Sequence, residues 1–275
     1  MKSKIAILSL ILSASYPAMS WDIPFGTIPL DYSLSEASNG AALYKKGRDY
    51  YAIVMDTDKS DIELGNLDYT GNVDSNGLGL YTKMKLGEHW DKYSDYSYFG
   101  MVNGQFFSHK YSFTVAPITY PVVSDGIPIT TYIDNKKRDI KTLTKTWGGS
   151  YYISSGFSYG QNVDSAIVGF HKDEYLTEDD KTNKVDRLYI GGVPRNGCNP
   201  DNQTCQFKYL IFLIANNKSI PQVISEFDSW GVKGSAIIRM DGGDSAQMKT
   251  STFEFDSDLI RSRKIPHSIG IKKYK

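Results

Sequence analysis

The chain has 275 residues, with 31 basic and 31 acidic side chains and a formal charge of zero. That length is enough for one large domain, and no Pro/Ser-rich linker or compositional break divides it, so a single domain over residues 21–275 is expected. A neutral chain has no global basic field to gather nucleic acid, and no later segment approaches a membrane span, so neither nucleic acid binding nor stable membrane insertion is expected.

Residues 1–20 read as a signal peptide. Lys2 and Lys4 form the positive region, 5–12 is an apolar run, and Ala18-Met19-Ser20 is a small-x-small cleavage site before Trp21. The apolar run is short for crossing a bilayer, so the mature protein is expected to be exported, to the periplasm or beyond. Strands are predicted over 50–56, 61–67, 98–103, 112–118, 127–133, 150–155, 187–193 and 209–215, where branched and aromatic residues alternate with polar ones or run together between turn residues. The clearest helix is 219–230. Ile220, Val223, Ile224, Phe227 and Trp230 fall on one face, Ser219 is placed to cap it, Pro221 suits its first turn, and Gly231 ends it. The pattern therefore predicts an α+β fold with mixed β-sheets and few helices.

Several segments invite a functional reading and receive a plainer one. Tyr93, Tyr96, Tyr98 and Phe99, and then Tyr151, Tyr152, Phe157 and Tyr159, suit sugar stacking, but equally suit half-buried strands. Gly156-Phe157-Ser158-Tyr159-Gly160 has the G-x-S-x-G spacing of a nucleophile elbow, yet a turn and a strand are expected after it where that motif needs a helix. The charged stretch 171–186 lacks periodicity and reads as an exposed loop. Cys198 and Cys205, the only cysteines, bracket a polar turn-forming insert, and in an exported chain they are expected to form a disulfide contributing roughly 2–3 kcal/mol.

No phosphate-binding Walker loop, Rossmann glycine fingerprint or H-E-x-x-H motif is present, and His89, His109, His171 and His267 are scattered. No cofactor and no catalytic metal are expected. Asp56, Asp58 and Asp61 leave a structural calcium open, without the rest of a calcium-loop pattern.

The most informative stretch is Ala236-Ile237-Ile238-Arg239-Met240-Asp241-Gly242-Gly243-Asp244-Ser245. It reads as a buried strand delivering a carboxylate into a two-glycine turn, with a second carboxylate and a hydroxyl just beyond. Together with Val102-Asn103-Gly104-Gln105-Phe106-Phe107, with Asp186-Arg187-Leu188-Tyr189-Ile190-Gly191 and with the ending Arg263-Lys264-Ile265-Pro266-His267-Ser268-Ile269-Gly270, it resembles the phosphodiester glycosidase family, the domain type of the lysosomal uncovering enzyme. The order of these pieces carries the resemblance. Asp244 stands where many relatives have a third glycine, and Arg239 where a small polar residue is common.

The resemblance implies hydrolysis of a sugar-1-phosphodiester, with a carbohydrate or sugar phosphate as the partner. A phosphodiester leaves readily, so its negative charge needs holding more than it needs a proton, and guanidinium groups do this well. A carboxylate facing the anomeric carbon stabilises the developing positive charge, attacks it, or activates water. Asp241, Asp244, Arg187 and Arg263 are the candidate catalytic residues on this reading. Asn103, Gly104, Gly242, Gly243, Ser245 and His267 are candidates for contacting the substrate. The division of roles between Asp241 and Asp244, and between retaining and inverting chemistry, stays open. So does a non-catalytic carbohydrate-binding protein on the same scaffold.

Overall fold

The computed structural model describes residues 28–108, 112–132, 138–174, 178–195, 198–202, 204–257 and 263–274. The expected signal peptide, His109 and Ile133, the last residue of the strand predicted over 127–133, lie outside these residues.

Strands dominate the described chain, and each pairing between them is antiparallel. The largest sheet runs in the order Ser33–Ala37, Ala41–Lys46, Tyr50–Asp56, Phe207–Lys218, Val185–Pro194, Ile237–Arg239, Val163–His171, Ile140–Thr146, Tyr151–Ser155, with Val122–Ser124 and Ile127–Thr130 added beside Val163–His171. A second sheet has the order Glu254–Asp256, Gln247–Thr250, Tyr98–Asn103, His267–Lys272, Ile62–Leu67. A third, small one joins Tyr69–Val73, Gly79–Thr82 and Val115–Pro117.

The two larger sheets face each other across a common core. Leu43, Ile53 and Phe212 from the first share one buried cluster with Leu64, Phe99, Val102 and Ile269 from the second. Gly100 marks the closest approach, since a Cβ there would stand 2.7 Å from Ile53 Cδ1. On the far side of the large sheet lies the helix Ile220–Ser229. Its Phe227 fills the space left by Gly191, where any side chain would overlap the ring, and Trp230 meets Tyr32 edge to face at 4.7 Å. Ser219 N–H donates to Gln222 Oε1 at 3.0 Å, and Gly231 with φ of +71° turns the chain out of the helix.

The predicted α+β architecture is what the structure shows, and the predicted strands are present with ends shifted by a few residues. Val185–Pro194 and Phe207–Lys218 run longer than predicted because they lie centrally in the large sheet, buried on both faces. A helix at Leu86–Tyr93 was not predicted: only Leu86 and His89 are buried on it, and Gly87 interrupts its first turn. The disulfide Cys198–Cys205 is formed.

Candidate active site

Arg239 occupies the end of the short strand Ile237–Arg239, paired in register with Tyr189 on one side and Phe170 on the other. Met240 N–H still donates to Leu188 O at 3.0 Å, and then the chain leaves the sheet at Asp241. Both glycines of the turn have a steric cause. A Cβ at Gly242 would stand 3.0 Å from Asp186 O and 3.3 Å from Arg187 Cα, and Gly243 has φ of +61°. A single 3-10 turn, Gly243–Ser245, then carries the chain across to Gln247–Thr250 in the second sheet. Asn103 pins this crossing: its Nδ2 donates to Asp241 O at 2.8 Å, and Gln247 N–H donates to its Oδ1 at 3.0 Å.

The turn borders a cavity of about 240 Å³, with Phe106, Asp180, Asp186, Arg187, Tyr189, Arg239 and Asp241 among its lining residues. The half-buried Asp241 carboxyl is pushed up to about 6, chiefly because burial penalises its charged form. The Ser245 hydroxyl, the Arg263 charge, the Gly242 N–H and the Arg239 charge pull the other way. Ser245 Oγ is wholly buried and completes no hydrogen bond at standard geometry, so it acts on Asp241 as a nearby dipole rather than through a formed bond. Asp186 is also raised, first by burial and then by the neighbouring Asp244 charge, against the N–H of Asn217.

Arg187 is 2% exposed and is largely spent on the protein itself. Its Nε donates to Lys218 O at 2.7 Å, and its NH2 group donates to Asp180 O at 2.9 Å and to Asn183 O at 2.8 Å. The Asp180 carboxylate bridges the two arginines, with Oδ1 3.2 Å from Arg187 and Oδ2 2.6 Å from Arg239. The charged stretch around it was expected to be an exposed loop. That expectation is corrected at Asp180, whose side chain is 12% exposed, because two buried guanidinium groups need a counter-charge. A single Asp in an acidic, aperiodic run gives no sequence signal of this kind.

The other sequence candidates fall into two groups. Asn103, Gly104 and His267 are buried and committed to the protein rather than lining the cavity. His267 is fully buried, accepts the Gln105 N–H at Nδ1 (3.0 Å) and sits 2.9 Å from Leu64 O at Nε2. Burial holds its pKa down to about 4, so the ring is neutral, and Gly104 lacks a side chain because a Cβ would overlap it. Asp244 and Arg263 stand at the rim. Asp244 is 76% exposed and lies 3.5 Å from Arg263, whose guanidinium also covers the Phe107 ring. Asn103, Arg187, Asp241 and Arg263, remote in sequence, thus come together around one turn.

None of the residues of the two aromatic clusters, Tyr93 to Phe99 and Tyr151 to Tyr159, lines this cavity. A larger groove of about 750 Å³ beside the three-stranded sheet is bordered by Tyr69, Tyr81 and Tyr132 and, among the described residues, by no carboxylate or basic side chain. Ser158 is exposed on the loop from Tyr151–Ser155 to Val163–His171, with no helix after it, which is not the setting of a nucleophile elbow. Asp56 and Asp58 share Lys208, and Asp61 pairs with Lys145. These contacts give the three carboxylates cationic partners within the protein.

No family model and no curated protein matches the chain in sequence. Among solved structures, the catalytic domain of zebrafish N-acetylglucosamine-1-phosphodiester alpha-N-acetylglucosaminidase, auto-inhibited by its pro-peptide, superimposes with a TM-score of 0.53 at 12% identity, covering 87% of this chain and 81% of that one. The likeness is one of fold. A hypothetical protein from Synechocystis aligns over 88% of this chain at 10% identity and a TM-score of 0.49, and the present chain spans 61% of its length. Among the described residues, no helix is long and apolar enough to cross a membrane.

Proposed function

We propose that the protein is an exported hydrolase that cleaves a sugar-1-phosphodiester of an envelope or extracellular polysaccharide at the Asp241 cavity. The observation that carries this reading is Asp241 itself: a carboxyl shifted to about 6 at the mouth of a small polar cavity with guanidinium groups close by. Above that pH the group is an anion facing the cavity, suited to attack an anomeric carbon or to activate water against it. The cavity lies below the roughly 300 Å³ at which drug-sized pockets begin, so one sugar ring or its phosphate occupies it at a time. The zebrafish enzyme supports the reading through its fold. Export rests on the N-terminal sequence.

The test is turnover of aryl and nucleotide-linked sugar 1-phosphates by the folded mature chain. Release of the aglycone phosphate that disappears in Asp241→Asn supports the proposal, and no turnover across a broad panel sinks it. A second reading, a carbohydrate-binding protein without catalysis, is favoured by one feature: Asn103, Arg187 and His267 are all committed to protein partners. Glycan binding without product release would select it.

A further inference from the structure

The cavity lining contains donor groups that neither the fold nor the proposed chemistry at Asp241 uses. Arg239 is 7% exposed, and its NH1 group alone meets acceptors, Glu174 O at 2.7 Å and Asp180 Oδ2 at 2.6 Å. Its Nε and NH2 groups have no acceptor among the described residues. Tyr189 is its register partner on the adjacent strand, which puts the two Cβ atoms about 4.5–5.5 Å apart on one face of the sheet. The Tyr189 hydroxyl is buried without a hydrogen-bond partner among the described residues, and both residues line the cavity. An unsatisfied buried hydroxyl costs stability unless something that binds there completes it.

We infer that Arg239 and Tyr189 together bind the oxyanion of the ligand, the phosphodiester group of a sugar phosphate, in the cavity that Asp241 also lines. Asp180 acts as a positioning residue: bridging Arg187 and Arg239, it fixes the fork of Arg239 so that its remaining N–H groups face the ligand. Arg187 belongs to that support, because its bonds to Lys218, Asp180 and Asn183 leave it little to offer. The guanidinium fork matches two oxygens of a tetrahedral anion and the phenol supplies a further donor, so a neutral sugar lacking the phosphate loses the charge-assisted part of the contact. The assignment rests on the proposed cavity being the ligand site, but not on catalysis occurring there.

Calorimetric titration of the mature wild-type chain, Tyr189→Phe and Arg239→Lys with a sugar 1-phosphate, inorganic phosphate and the free sugar tests it. The wild type should bind the sugar 1-phosphate at least tenfold more tightly than the free sugar. Each variant should lose about tenfold or more in affinity for the phosphate ligands, as expected for hydrogen bonds to a charged group. Inorganic phosphate binding alone, with the same sensitivity to both substitutions, supports recognition of the oxyanion itself; its failure to bind while the sugar phosphate remains sensitive supports recognition in the context of the sugar. Tyr189→Phe removes a hydroxyl that has no partner among the described residues, so it should melt no lower than wild type, and its loss of affinity is not a folding defect. Affinities within twofold of wild type in both variants, equal affinity for the free sugar, or no binding of any ligand by the wild type overturns the assignment. Binding with these sensitivities but no turnover defeats only the hydrolase reading, whereas turnover with an unchanged KM in both variants defeats only the oxyanion pair.

Discussion

Asp241→Asn separates a reactive carboxylate from a structural one through two opposite readouts. Each tenfold change in acidity corresponds to about 1.4 kcal/mol, so raising this carboxyl from 3.8 to about 6 penalises its ionised form in the folded state by about 3 kcal/mol at most. The side chain is only half-buried, and water access reduces this to about 1–2 kcal/mol. Asparagine keeps the shape and removes the charge. At pH 8 the variant should therefore melt higher than wild type, by about 2–8 °C for a chain of this size. The sign follows from proton binding: between pH 3.8 and about 6 the folded state holds more protons at this site than the unfolded state, so the penalty is complete above 6 and gone below 3.8. The two proteins should accordingly converge in melting temperature as the pH falls to 4. Turnover on an aryl-linked sugar 1-phosphodiester should drop by a factor of about 10²–10⁴. Calorimetric melts at both pH values, paired with initial rates, decide it. A variant that melts lower at pH 8 and still turns over substrate would refute the reasoning and make Asp241 a structural anchor for the turn.

The pH–rate profile of the wild type should show a limb with apparent pKa near 6, activity rising with pH as Asp241 ionises; a rate flat from pH 5 to 8 would disconnect this carboxyl from the reaction. His267 works in the opposite sense: with its folded pKa at about 4 against the usual 6.5, it costs stability progressively as pH falls between those values. His267→Ala should remove that acid sensitivity while lowering stability at pH 7 by about 2–5 kcal/mol, because the Gln105 N–H and Leu64 carbonyl are left buried without partners, which urea melts would measure. Asp180→Asn should destabilise by about 3–5 kcal/mol, since two buried guanidinium groups lose their shared counter-charge; a loss under 1 kcal/mol in the same melts would contradict that role. Asp244→Asn breaks only an exposed 3.5 Å pair with Arg263 and should change stability by less than about 1 kcal/mol.

The Asp241 turn was readable from the sequence because a buried strand ending in Asp-Gly-Gly has local causes: a short apolar run, a positive φ at Gly243 and a close approach at Gly242. The helix Ile220–Ser229 was readable for the same reason, since its cap, its apolar face and its terminating Gly231 are all encoded within a dozen residues. The roles of Asp180, Tyr189 and Arg239 were not. They depend on register across strands far apart in the chain, Tyr189 beside Arg239 beside Phe170, and on a 3-10 turn at Glu178–Lys181 folding back over that register. His267 was assigned to the substrate on a short motif, whereas its partners, Leu64 and Gln105, come from chain segments that no local pattern links to it. Sequence patterns of this kind reveal what a segment does to itself; which carboxylate answers which guanidinium is a property of the assembled sheets.

Asn103 bonds to both ends of the bridge between the two larger sheets, to Asp241 as the chain leaves one and to Gln247 as it enters the other. The Asp241 turn is thus a seam, held in shape only while both sheets keep their mutual position. Loosening the smaller sheet, even at its outer strand Glu254–Asp256, would silence the site while the larger one was still intact, so function should fail before the bulk of the molecule melts.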